Sequence, residues 1–229
     1  GALNVVTGSG SVIGDVLTRD ERVKMITFTG SPEVGIGIRT KAGLKRVTLE
    51  LGSNAALIVD KGVALDAVIP RAVTGAFSFA GQVCISIQRI YVHEELYEAF
   101  VEAFVAQTRT LRLGDPLDPQ TDVSALISPK DVERSLAWIA EAKQLGATVA
   151  TGGEREGNIL QPTVLLGVDP RAKVSCREVF APIVLINKVS TIEEAIAHVN
   201  DSRYGLQAGI FTNRIDTAMK AAEELQVGG

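Results

Sequence analysis

The sequence predicts an α/β protein built in layers. Three observations carry that expectation. Apolar, β-branched runs alternate with amphipathic helical patterns along the whole chain, as in proteins that pack helices on a sheet. Apolar residues make up 46% of the 229 residues and charged residues 22%, which suits a core shared by one or two domains. No internal repeat or low-complexity segment interrupts the alternation.

The elements follow in order. Ala2 to Thr7 reads as a buried strand, then Gly8-Ser9-Gly10-Ser11 as a turn into a helix bearing Val12, Ile13, Val16 and Leu17. Gly8, Gly10 and Gly14 are spaced one residue too long for a Rossmann fingerprint and lack the acid about 20 residues on, so this turn is at least as readily structural. Lys24 to Thr29 is a strand that meets Gly30-Ser31-Pro32-Glu33. Ser31 is a suitable N-cap, Pro32 suits the first helical position, and Glu33 suits the positive helix end. Such a start either simply caps a helix or holds a phosphate. Arg46 to Leu51 is a strand with Glu50 near its end, and Ala55 to Asp60 is another. A helix from about Ala64 to Ala80 leads to a loop at Cys84, and Ile87 to His93 is again a strand. Glu94 to Arg109 is amphipathic, with Leu96, Phe100, Ala103 and Phe104 on a core face. Gly114 to Pro119 is a turn-rich loop. Ser128 caps a helix from Pro129 to about Leu145, in which Trp138 packs, and Gly152-Gly153 marks a hairpin-like turn. Leu160 to Leu166 and Ile183 to Val189 are strands. Thr191 caps a helix, Leu206 to Phe211 is a strand, and the last helix begins near Arg214.

Composition narrows the function. The net charge of −4 without a basic stripe argues against nucleic acid as a partner. No apolar run approaches the ~20 residues of a membrane-spanning helix, and no signal-peptide pattern is visible. Two cysteines fit a reducing compartment, and a cytoplasmic location is expected. His93 and His198 have no ligand partners at metal-binding spacing; no metal site is expected, and both are expected on element surfaces.

Two residues stand out chemically. Cys84 follows Gly81-Gln82 between a helix and a strand. It reads either as a nucleophile or as a small buried hydrophobe. Glu50, between Leu49 and Leu51, lies either on a solvent face or in a cleft, where a carboxylate can act as a general base. A cysteine hydrolase would need a histidine partner, and neither histidine sits in a matching signature.

Phe28-Thr29-Gly30-Ser31-x-Glu33-Val34-Gly35, Leu49-Glu50-Leu51-Gly52, Gly81-Gln82-x-Cys84 and Glu178-Val179-Phe180-x-Pro182 together resemble the successive signatures of the NAD(P)-dependent aldehyde dehydrogenase superfamily, in order and spacing. The resemblance covers essentially the whole chain. It implies a three-layer αβα fold with mostly parallel sheets. It implies that residues 1–52 end the cofactor-binding domain and that 53–229 form most of the cysteine-bearing catalytic domain.

The resemblance also implies roles. Cys84 matches the nucleophile that forms a thiohemiacetal and then a thioester, and Glu50 the base that activates the hydrolytic water. Gly30, Ser31, Leu51, Gly52, Glu178 and Phe180 match positions that contact the cofactor, NAD or NADP, with Glu178 at the nicotinamide ribose. An aldehyde is the implied substrate and a dimer or tetramer the implied assembly of the full-length enzyme. Pro32, Ser53-Asn54, Arg177 and Ala181 depart from common family residues. Cys176 matches no catalytic position and reads as a packing residue. The family's oxyanion Asn, adenosine-ribose Lys, Phe-Gly-Gly region and subunit-pairing strand are not among these residues, so the chain is expected to be part of a longer polypeptide and inactive alone. Acyl transfer to coenzyme A is a variant that Glu50 disfavours. A non-catalytic paralogue is the alternative of a different class, disfavoured by the joint presence of Cys84, Glu50 and Glu178.

Overall fold

The computed structural model describes residues 1–229, which divide into two units, Gly1–Gly52 and Ser53–Gly229. The smaller unit holds helix α1 (Gly10–Arg19), strand β1 (Met25–Thr29), helix α2 (Pro32–Lys41) and strand β2 (Arg46–Glu50). β1 and β2 pair in parallel, with Thr29 opposite Glu50, and α2 is the crossover between them. Ala2 to Thr7 is not a strand. Its apolar residues Leu3, Val5 and Val6 are exposed and no strand in this chain pairs with them, so β-propensity there has no ladder to satisfy. On α1, Val12, Val16 and Leu17 are also exposed.

The larger unit is organised on six strands. They are β3 (Ala56–Val59), β4 (Arg89–His93), β5 (Thr148–Thr151), β8 (Thr163–Leu166), β9 (Ile183–Val189) and β10 (Ala208–Phe211); β6 (Arg155–Glu156) and β7 (Ile159–Leu160) form a separate hairpin. The spatial order is β10-β3-β4-β9-β8-β5, parallel throughout except where β5 meets β8. Side chains alternate across β3: Leu57 and Val59 enter one core, Ala56 and Ile58 the other. The first core takes helices α3 (Leu65–Phe77), α4 (Tyr97–Thr108), α5 (Pro129–Gln144) and α6 (Lys173–Cys176); the second takes α7 (Ile192–Asn200) and α8 (Ile215–Glu224). The unit is therefore helix, sheet, helix, the three-layer arrangement expected.

Most elements begin and end within a few residues of their expected limits, because Gly, Pro and capping residues set them. Thr191 caps α7 by accepting from the Glu194 N–H at 3.1 Å. Ser128 precedes α5 as expected, but its hydroxyl bonds the Asp131 carboxylate at 2.6 Å instead of a backbone N–H. Phe100 and Phe104 are fully buried, and Trp138 packs at the core edge with Arg134 over its ring. The hairpin turn is at Gly157-Asn158, not Gly152-Gly153. Gly157 has φ +57° at the first turn position, where a two-residue hairpin favours glycine, whereas Gly152 packs on the Pro162 carbonyl between β5 and β6. His93 departs from its expected surface position. It ends the central strand β4, is 7% exposed and accepts from the Glu95 N–H. Cys176 is exposed, not packed, because α6 ends there at the surface.

Candidate active site

Cys84 sits in a tight turn between α3 and β4. The Ser86 N–H closes that turn onto the Val83 carbonyl at 2.8 Å, so Cys84 and Ile85 are its central residues. The turn is tied back to the end of α3. The Ile87 N–H donates to the Gly75 carbonyl at 2.9 Å, and the Ser86 hydroxyl to the Ala76 carbonyl at 3.0 Å. Gly75 leaves room for the Ile87 side chain, which a Cβ would meet at 2.5 Å. Between α3 and the turn, Phe79 and Ala80 adopt left-handed conformations, φ +53° and +56°. Two consecutive non-glycine residues in that region store strain that the surrounding bonds must hold. Gln82 supplies some of them: its amide accepts from the Ile127 N–H at 2.9 Å and donates to the Phe79 carbonyl at 3.2 Å. The thiol is partly exposed, and no protein acceptor takes the Cys84 N–H.

The segment Glu178-Val179-Phe180 meets this loop directly. Gly81 lies so close to Ala181 that a Cβ on Gly81 would stand 2.3 Å from the Ala181 carbonyl oxygen. Glu178 is half-buried and its Oε1 accepts from the Ser53 N–H at 2.8 Å, while its own N–H donates to the Tyr204 hydroxyl at 3.2 Å. Phe180, 40% exposed, also holds a left-handed φ of +49°. Ser53, Gly81, Glu178 and Phe180 line a recess of about 10 Å³, close to the volume of a single water, shared with Val83 and Ser86 but not with the Cys84 side chain. A groove of about 880 Å³, lined by Phe79, Gln82, Ile127 and Phe180 among others, has the size of a small-molecule site.

The remaining predicted residues belong to the smaller unit. Gly30 follows β1 and its N–H donates to the Glu50 carbonyl at 3.0 Å. Ser31 caps α2, accepting from the Val34 N–H at 3.4 Å, with Pro32 at the first position and Glu33 in the first turn. The Leu51 side chain rests on α2 where Gly35 has no side chain; a Cβ there would meet Leu51 at 2.5 Å. Glu50 is exposed at the end of β2, and Gly52 closes the unit.

A profile described as the aldehyde dehydrogenase family matches residues 1–229. The chain belongs to the aldehyde dehydrogenase family. It is 49% identical over all 229 residues to 3-sulfolactaldehyde dehydrogenase of Priestia aryabhattai and covers 48% of that protein. It is 41% identical over 229 residues to lactaldehyde dehydrogenase of Methanococcus maripaludis strain C7, covering 49% of it. Among solved structures, glyceraldehyde-3-phosphate dehydrogenase GapN of Methanocaldococcus jannaschii, complexed with NADP, superposes with a TM-score of 0.96 at 40% identity, over 99% of this chain and 49% of that one. The chain thus spans about half the length of the curated relatives it matches.

For this aldehyde dehydrogenase chain, sequence reasoning missed the polar groups that hold the Glu178 segment. Asn54, 3% exposed, donates from Nδ2 to the Ser175 carbonyl at 3.0 Å and accepts from the Ser202 hydroxyl at 2.8 Å. Those two hydrogen bonds tie the start of β3 to the segments at Ser175 and Ser202. Arg134 donates to the Val179 carbonyl at 2.8 Å. Tyr204 and Arg134 lie in segments without a motif, so no local pattern marks them.

Proposed function

We propose that the protein containing these residues oxidises a small aldehyde to a carboxylic acid with NAD or NADP. The observation that carries this is the contact of two family signatures in the larger unit. Gly81, three residues before Cys84, abuts Ala181, three residues after Glu178. The loop that bears a partly exposed thiol thereby meets the segment that bears a carboxylate and an aromatic ring.

The residues present fit a nicotinamide dinucleotide. Glu178 offers a carboxylate to ribose hydroxyls, Phe180 an open ring face, and the start of α2 at Gly30-Ser31 the positive helix end that suits a phosphate. Leu51 and Gly52 would lie by the same group. Bound NAD or NADP supplies the hydride acceptor. The Cys84 thiolate attacks the carbonyl carbon, forming the C–S bond of a thiohemiacetal. The developing oxyanion takes a hydrogen bond from the otherwise unengaged Cys84 N–H. Loss of hydride from that carbon leaves a thioester on Cys84. Glu50 removes a proton from water, the water oxygen attacks the thioester, and the thiolate leaves as the acid forms.

The relatives' names support a substrate class. Sulfolactaldehyde, lactaldehyde and glyceraldehyde 3-phosphate are all three-carbon 2-hydroxyaldehydes, and we extend that class to this protein. The test is aldehyde-dependent reduction of NAD or NADP by the natural polypeptide that carries this chain. Activity with 2-hydroxyaldehydes that disappears in Cys84→Ala is expected. Turnover that survives Cys84→Ala would overturn the assignment.

A further inference from the structure

Gln88 is 5% exposed and has no place in the chemistry above. It stands four residues after Cys84, just before β4. Its backbone is fixed to the sheet on both sides: the N–H donates to the Ala55 carbonyl at 3.0 Å, and the carbonyl accepts from the Leu185 N–H at 2.8 Å. From that base its side-chain amide reaches across to the segment bearing Glu178. Nε2 donates to the carbonyls of Val174 at 2.8 Å and Arg177 at 2.7 Å, and Oε1 accepts from the Val179 N–H at 2.9 Å.

One amide therefore satisfies three main-chain groups on the two sides of Glu178. Both of its N–H groups and its oxygen are used, so its orientation is fixed by the bonds it makes. An apolar side chain of similar length would take a partner from the buried Val174 carbonyl and Val179 N–H and from the part-buried Arg177 carbonyl, and a buried group left without a partner is costly.

We propose that Gln88 is a positioning residue that ties the Cys84 side of the site to the Glu178 side and so sets the carboxylate and the Phe180 ring for the cofactor. This rests on the cofactor reading given under Proposed function. It predicts an effect on cofactor binding that an ordinary buried amide would not have.

The test uses the natural polypeptide carrying this chain, with Gln88→Met and Gln88→Asn. Three quantities are measured on the folded proteins: the Kd for NADH and NADPH from nicotinamide fluorescence, amide exchange at Val179, and the labelling rate of Cys84. Gln88→Met is expected to weaken cofactor binding about 10- to 100-fold and to speed Val179 exchange, with Cys84 labelling changed by less than about twofold. The same split should appear in kinetics, as a raised KM for the cofactor with a smaller change in kcat. Gln88→Asn keeps the amide but is one methylene too short to reach all three groups. It should shift the same quantities in the same direction, and it carries the test if the methionine variant does not fold. Unchanged cofactor affinity in a folded variant, or weakened affinity with unchanged Val179 exchange, would overturn the proposal. If the unsubstituted protein binds neither cofactor, it is the functional reading that fails. Val179 exchange then decides the positioning role alone: faster exchange supports it and unchanged exchange overturns it.

Discussion

Replacing Gly81 by alanine tests the contact between the Cys84 loop and the Glu178 segment. Two costs add. At φ +69°, a Cβ brings the left-handed penalty of about 1–2 kcal/mol. The Cβ would also stand 2.3 Å from the Ala181 oxygen and 2.5 Å from its carbonyl carbon, where ordinary contacts begin near 3.4 Å. Both atoms are backbone, so no rotamer change relieves the overlap, and the strands behind them are buried. Forced repacking of this kind costs about 1–3 kcal/mol, for a total of about 2–5 kcal/mol. Gly157→Ala provides the reference: its φ is +57° and a Cβ there meets nothing within 4 Å, so it carries the conformational penalty alone. Urea unfolding of both variants can be followed through the single tryptophan, Trp138, which lies in the same unit as both glycines. Gly81→Ala should lose at least about 1 kcal/mol more than Gly157→Ala. Equal losses would mean that the loop and the segment are not in contact, and the argument for a joint site in the larger unit would fall with it.

Further outcomes are expected. Phe79→Gly removes a left-handed penalty from a side chain that is 79% exposed, so stability should rise by about 1 kcal/mol in the same urea assay. Thiol reagents should label the exposed Cys176 as well as Cys84, and Cys176→Ser should leave stability within about 0.5 kcal/mol, as surface substitutions usually do. Burial pushes the Tyr91 phenol above its ordinary value of 10, partly opposed by Arg89. The fold thus favours the protonated phenol. Its contribution is complete below pH 10 and is lost as pH rises through the folded value, so urea midpoints should fall above pH 10 less steeply in Tyr91→Phe. The Arg171 hydrogen bond holds the Asp169 carboxyl down to about 2. Its contribution is present above pH 4 and lost as pH falls through 2, and a carbon-13 titration should find that midpoint move up in Arg171→Ala.

What was legible in the sequence was whatever is local. Ser31, Thr191 and the Pro residues at helix starts act over three or four positions, so the limits of α2 and α7 could be read directly. The apolar run within Ala55 to Asp60 and the aromatic face of α4 announced the core for the same reason. Non-local partners were hidden. Whether Ala2 to Thr7 forms a strand depends on a neighbour, and composition cannot say whether one is at hand. Gln88 and Asn54 act on carbonyls more than 80 positions away, and no spacing rule connects them. His93 was expected on an element surface, yet the central position of β4 in the sheet order decides its burial. The motifs were legible as a resemblance, but the strain at Phe79, Ala80 and Phe180 was not, since nothing in those residue types announces a positive φ.

The sheet also shows why fold alone would have misdirected the search for a site. In open α/β sheets, ligands usually bind beyond the carboxyl ends of parallel strands, where adjacent strands send their connections to opposite faces. β3 and β10 are such a pair: β3 leads to α3 on one face and β10 to α8 on the other. A groove of about 510 Å³ lies at those ends, lined by Asp60, His93, Thr191 and Arg214 among others. The residues proposed for the site in this unit are at the other end. Cys84 precedes β4 and Glu178 precedes β9, so both approach the sheet from the amino ends of parallel neighbours. That end is not the one at which α3, α7 and α8 begin, each of which follows the carboxyl end of a strand. Its side chains are held instead by the turn at Ser86, the close approach at Gly81 and the hydrogen bonds of Asn54, Gln88, Arg134 and Tyr204. A site assembled this way depends on individual side-chain bonds more than on topology. Single polar substitutions around Glu178 should therefore disturb it more than their effect on the stability of the unit would suggest.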